Sequence, residues 1–135
     1  MYVTRQQVIA KIPAQVLNDA LDDNGDGKED AGAFDNVVAV ASQEVDGYLG
    51  GLFTVPFATP PAKVREATLA FVLEMLYQRR NIEEDKNPHA KTAKYYRDHL
   101  QKVGNRELPF DAATDKEFEP GAVIITTSPL NATGL

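Results

Sequence analysis

The chain has 135 residues, of which 43 % are hydrophobic, with a net charge of −6 and no cysteine. That length supports one domain with its own core, and the missing cysteine excludes a disulfide scaffold, a thiol nucleophile and any thiolate metal site. The acidic balance argues against a general nucleic-acid binder, and no apolar run reaches the length a membrane span needs.

The N-terminus has no apolar run after its basic residue, so it does not read as a secretory signal. Thr4 followed by Gln7 has the form of a capping box, ahead of Val8, Ile9 and Ile12. Pro13 suits the first turn of a second short helix through Val16, Leu17 and Leu21. An acidic stretch, Asp22 to Asp30, ends that helix. A long helix is predicted from about Ala31, because Phe34, Val37, Val38, Ala41, Val45, Tyr48, Leu49 and Leu52 recur at the spacing of one helical face. Gly50-Gly51 weakens it, and Pro56, Pro60 and Pro61 stop its continuation. Leu52 to Pro60 then reads as an extended connection anchored by Phe53, Val55 and Phe57.

Pro61 fits the first turn of the next helix. Its inner stripe is Val64, Thr68, Phe71, Val72, Met75 and Leu76, widened by Ala67, Leu69, Ala70 and Leu73, which predicts burial on several sides. Asn87-Pro88 marks a break, and His89 to Val103 forms a last helix with Ala93, Tyr96, Leu100 and Val103 inward and Gly104 as its terminator. Beyond Gly104 the composition changes to apolar islands among acids and turns. They are Leu108-Pro109-Phe110, Phe118-Glu119-Pro120 and the β-branched run Val123 to Thr127, which has strand composition. The fold class is therefore mostly α: a small bundle of about four to five helices over residues 1–103. Residues 104–135 form an extended C-terminal arm with the composition for a short strand or hairpin. Such an arm wants a partner, and Phe110, Phe118, Val123, Ile124 and Ile125 are its candidate contact residues.

The acidic stretch has two readings. Asp22, Asn24 and Asp26 stand at alternate positions with Gly27 behind them, as in the opening half of a calcium loop. In that reading Lys28 contributes its carbonyl, Asp30 ligates directly or through water, and Asp35 completes the shell of a loop longer than usual. The position where a closing Glu belongs is Ala33. In the other reading, Asp, Asn and Gly are simply what a turn between helices prefers. The sequence supplies no paired second loop of the kind a calcium sensor carries.

No catalytic constellation emerges. His89 and His99 are ten residues apart, which does not place them as a metal pair on one helical face, and they read as surface histidines. Ser42 and Ser128 lack a nucleophile elbow. Gly50-Gly51 lacks the Lys-Ser or Lys-Thr of a phosphate loop. Arg79 and Arg80 read either as cations placed at a negative helix end or as anchors for a partner's carboxylates.

Several blocks, in order, resemble a known family: Met1-Tyr2-Val3-Thr4, the turn Asp22 to Gly27, Val45-Asp46-Gly47-Tyr48-Leu49 with Val55-Pro56-Phe57, Pro60 to Arg65, and Leu76-Tyr77-Gln78-Arg79-Arg80. Over roughly residues 1–103 the chain resembles the Mu-like bacteriophage neck proteins, related to the head–tail connectors of tailed phages. The segment Gly50-Gly51-Leu52-Phe53 departs from the family pattern, which often places Arg and an aromatic after the Tyr-Leu pair. The resemblance implies a structural subunit without chemistry of its own, forming a homo-oligomeric ring beneath the portal. Its partners would be the portal and the downstream neck and tail proteins, with DNA passing through unread and no membrane involved. It further implies assembly in the host cytoplasm and residence in the virion neck. By that analogy the C-terminal arm reaches the portal. The other reading of the same residues is a calcium-binding helical interaction module.

Overall fold

The computed structural model describes residues 2–109. Five α-helices follow one another, with a 3-10 turn at Glu84–Lys86 before the last and no strand among the described residues. The predicted strand at Val123–Thr127, and Phe110, Phe118 and the rest of the arm beyond Pro109, lie outside them.

The first helix, α1 (Arg5–Ile9), opens on the expected capping box. The Gln7 N–H donates to the Thr4 hydroxyl at 3.3 Å, and the Thr4 N–H donates to the Gln7 side chain at 2.9 Å. Pro13 is the N-cap of α2 (Ala14–Ala20) rather than part of its first turn. The long α3 (Ala33–Leu49) begins two residues later than the spacing suggests. Gly32 precedes it in the left-handed region at φ 80°, a conformation open to a residue without Cβ. Phe34, Val37, Val38, Ala41, Val45 and Leu49 form its buried face, as the periodicity predicts.

Helix α4 (Ala62–Arg79) follows Pro61, its N-cap. It packs against α1, α2, α3 and α5 and is the centre of the bundle. Encirclement explains its composition: Val64, Ala67, Ala70, Phe71, Val72, Leu73 and Leu76 are all buried, so the apolar stripe widens to most of the circumference. Buried Thr68 satisfies its hydroxyl by donating to the Val64 carbonyl at 2.7 Å. The connection from Leu52 to Pro60 bends rather than running extended, but Leu52, Phe53 and Phe57 are buried as its anchors. Among the described residues no helix is long and apolar enough to cross a membrane.

The last helix, α5 (Ala90–Gly104), takes His89 as its N-cap and closes the three-helix core with α3 and α4. Gly104 does not terminate it. Gly104 is its last helical residue, and a Cβ there would overlap the carbonyl oxygen of Tyr48, so glycine is what lets the ends of α3 and α5 touch. The stop comes from Arg106, left-handed at φ 64°. The Glu107 N–H then reaches the Lys102 carbonyl at 2.7 Å and the Arg106 N–H reaches Val103 at 3.0 Å, the paired bonds of a Schellman motif. Helix α4 ends in the same way. Asn81 is left-handed at φ 60°, with Ile82 N–H to Tyr77 at 3.1 Å and Asn81 N–H to Gln78 at 2.9 Å.

Candidate functional site

The acidic loop between α2 and α3 is held by its own side chains. Asp22 Oδ1 accepts from the N–H groups of Gly25 and Asp26 at 2.9 and 3.2 Å, and its Oδ2 accepts from Gly27 at 2.8 Å. Asn24 Oδ1 accepts from Asp26 N–H at 3.0 Å, and Asp26 Oδ1 from Lys28 N–H at 2.9 Å. Asp30 Oδ2 accepts from Asp23 N–H at 3.1 Å. Asn18 clamps the far side, accepting from Glu29 N–H at 3.1 Å and donating to the Gly27 carbonyl at 3.0 Å. Gly25 and Gly27, at φ 76° and 84°, make the sharp turns the sequence assigns to this loop.

These bonds gather one carboxylate oxygen each from Asp22, Asp26 and Asp30 within 4.8 Å of one another. A hard cation needs about six to eight oxygens. Asn24 and the Lys28 carbonyl are the further donors that the calcium reading takes from this loop. Asp35 stands apart from the trio, on the first turn of α3, where its charge acts on Arg5.

Two arginines tie the loop to the bundle. Arg5 grips Glu29 with both terminal nitrogens, at 2.8 and 2.7 Å, and lies 4.6 Å over the Phe34 ring. That grip, with Asp35 beyond it, raises the Arg5 pKa above its ordinary value. Arg79, at the end of α4, donates from Nε to the Ala20 carbonyl at 2.8 Å and from Nη2 to Asp23 at 2.6 Å. One of the two arginines expected to meet a partner thus holds the α2 end and the acidic loop of its own chain. Arg80, the C-cap, is exposed.

A second joint lies at the N-terminus. The Tyr2 hydroxyl donates to Asp46 Oδ1 and accepts from the Phe57 N–H, both at 2.8 Å. Its ring packs on Phe57 with centroids 6.3 Å apart. Burial pushes the Tyr2 hydroxyl up to about 12, despite the opposing bond from Phe57. Burial also raises the Asp46 carboxyl, against the pull of the Tyr2 bond.

The third joint is one the sequence reading does not contain. Glu74, buried within α4, receives Arg97 of α5 at 2.6 Å on Oε1 and 3.3 Å on Oε2. The Arg97 Nε also donates to Glu44 of α3 at 2.7 Å, and the guanidinium sits 4.8 Å over the Phe71 ring. Hydrogen bonding to Glu74 raises the Arg97 pKa still further above its usual value. The available signal was a Glu directly after the apolar run Leu69 to Leu73 of the widest stripe, with an Arg on the next helix to neutralise it.

Both histidines are half-buried rather than on the surface. His89 meets the Tyr77 ring edge-on at 5.1 Å, and His99 stacks on Tyr95 at 6.0 Å. Burial lowers both pKa values. Lys11 adds to the effect on His89, and Lys63 and Lys102 add to it on His99. A surface depression of about 630 Å³ is lined by Glu84 to Pro88 with Ala90, Lys91 and Lys94.

The blocks that carry the sequence resemblance fall on these joints: Tyr2 with Asp46 and Phe57, and Asp23 with Arg79. They mark how the chain holds itself together. A family model described as Bacteriophage Mu, Gp36 matches residues 2–125. The match continues past residue 103, where the resemblance read from the sequence stops, and takes in most of the arm. No curated protein matches the chain.

Proposed function

We propose a place in the virion for this chain from one premise: it belongs to the bacteriophage Mu Gp36 family, whose model spans residues 2–125. Membership makes it a Mu-like phage protein and points to a structural component of the particle. The finer reading is a neck subunit, a head–tail connector that assembles as a ring below the portal and leaves DNA free to pass. The family match carries this reading. A rigid helical body whose charged joints are internal suits a building block.

Charge is also segregated along the chain. The loop 22–30 is strongly acidic, and the stretch 61–103 carries a net +3. Stretches of opposite charge of this kind favour contacts between copies, and head-to-tail contacts are the geometry that closes rings. In this reading the arm and Arg80 are the contacts for portal and neighbours, and the protein works by shape.

Light scattering of the purified chain, with and without purified portal protein, tests the proposal. Ring-sized particles, or assembly that depends on portal, are expected. A monomer indifferent to portal would overturn the reading. If its melting temperature also depended on calcium, a cation-binding interaction module would take its place.

A further inference from the structure

Helix α5 turns three lysines and a tyrosine outward. Lys91, Tyr95, Asp98 and Lys102 share its exposed face at helical spacing, with Lys94 beside them. Lys91 and Lys102 have no ion-pair partner among the described residues, and Lys94 meets Asp98 only at 3.4 Å with both side chains exposed. Tyr95 is 56 % exposed, more than any other large apolar residue described. Its ring is held in place, stacked on His99 and edge-on to Tyr96 at 5.2 Å. A side chain already ordered loses little further freedom when a partner covers it. The face thus joins surplus positive charge to a fixed aromatic anchor, the kind of residue that dominates interfaces.

The complementary charge lies on another surface of the same chain. Of the acids in loop 22–30, Asp23 is paired with Arg79 and Glu29 with Arg5. Asp22, Asp26 and Asp30 meet no protein cation among the described residues, although their carboxylate oxygens lie within 4.8 Å of one another. Like charges so close favour a cation brought from outside. The loop is tied to α1 by Arg5, to α2 by Asn18 and to α4 by Arg79. No hydrogen bond or ion pair joins it to α5 among the described residues. Nothing lies within 4 Å of a Cβ placed on Gly25 or Gly27, so the loop tip stands clear of the described body.

We propose that the acidic loop of one copy docks on the outward face of α5 of a second copy, its carboxylate trio against Lys91 and Lys94 and its glycine tip against Tyr95. The spacing agrees. Residues three and four apart on a helix are neighbours, about 5–6 Å between Cβ atoms, so Lys91, Lys94 and Tyr95 form one compact patch the size of the trio. Lys102, farther along the same face, adds to the field that draws the loop in. A protein partner suits the face better than a nucleic acid does, because the chain as a whole carries −6 and Asp98 sits among the lysines. The docking patch and the receiving patch are different surfaces. Each copy therefore keeps one of each open for a further neighbour, and repetition closes a ring when the rotation allows. The contact rests on the reading of the chain as a ring subunit and supplies the joint of that ring.

The test mixes equal amounts of the full chain with and without a heavy-nitrogen label, in the presence of purified portal protein. Zero-length carbodiimide coupling should join Lys91 or Lys94 of one isotopic form to Asp22, Asp26 or Asp30 of the other. The yield should fall about tenfold at high salt, where such attraction is screened. In light scattering, a chain carrying Lys91→Glu and Lys94→Glu should associate about a hundredfold more weakly, with its melting temperature unchanged. Asp26→Lys should do the same. An equal mixture of the two variants should regain association, because the intact loop of the first still meets the intact α5 face of the second. Full-strength assembly by either variant, or cross-links from Lys91 and Lys94 found only within one isotopic form, would overturn this contact and leave the ring reading standing. A chain that stays monomeric with and without portal would overturn both.

Discussion

Arginine meets carboxylate at two depths in this molecule, and the difference in depth separates their roles. Around the acidic loop, Arg79 meets Asp23 at 2.6 Å with the aspartate side chain 63 % exposed. In the core, Arg97 meets Glu74 at the same distance with the glutamate side chain 7 % exposed. At the loop, water screens either partner if the other is lost, so the pair contributes little. In the core, a lone Glu74 would remain as a buried charge among apolar neighbours. The loop contacts therefore position a segment, and the core contact decides whether three helices pack at all.

The largest expected effect follows from that contrast. Arg97→Ala should cost about 3–5 kcal/mol by leaving Glu74 uncompensated, read as a large fall in melting temperature. Adding Glu74→Gln should recover part of the loss, because the uncompensated charge is then gone. Additive losses in that double-mutant cycle would deny the coupling.

Tyr2→Phe comes next. It strips a buried hydroxyl from Asp46 and removes the Tyr2 bond to the Phe57 N–H, at a cost of about 1–3 kcal/mol. It should also alter alkaline unfolding. The folded-state pKa of Tyr2, about 12, is raised above its ordinary 10, so the native state holds this proton longer than the unfolded chain. The resulting stability is complete below pH 10 and is lost as pH rises through 12. The variant should lack that part of the decline in a denaturant titration against pH.

Asp22→Ala tests the exposed side of the comparison. The Gly25 and Gly27 N–H groups lose the Asp22 acceptor, and the Asp26 N–H keeps only Asn24. A loss of about 1–2 kcal/mol is expected, of the order seen when a helix cap is removed. The loss should be equal in EDTA and in millimolar calcium if the loop stands on its own hydrogen bonds; a loss confined to calcium would make the trio a cation site. The smallest effect belongs to Asp23→Asn, within about 1 kcal/mol and fading as salt increases. A loss as large as that of Arg97→Ala would erase the distinction between the two regions.

Much of the fold was legible because helices are written at short range. The capping pair Thr4 and Gln7, the prolines at 13 and 61, and the spacing from Phe34 to Leu49 located α1 to α4 within a few residues. The acidic loop was legible as a turn, since its bonds run between residues only a few apart. The stop of α5 was misplaced at Gly104 because glycine is the usual left-handed residue there. Here packing against Tyr48 claims Gly104, and Arg106 takes the left-handed position.

What the sequence by itself determined is the set of helices, their apolar faces, the acidic turn and, through ordered blocks, the phage family. Those properties rest on local geometry and on patterns that repeat within a turn or two. Only the tertiary structure decided which charges are structural. Tyr2 finds Asp46 across 44 residues, Arg79 finds Asp23 across 56, and Arg97 finds Glu44 across 53. No spacing rule encodes such pairs, because each depends on how whole helices cross and how much water their crossing excludes.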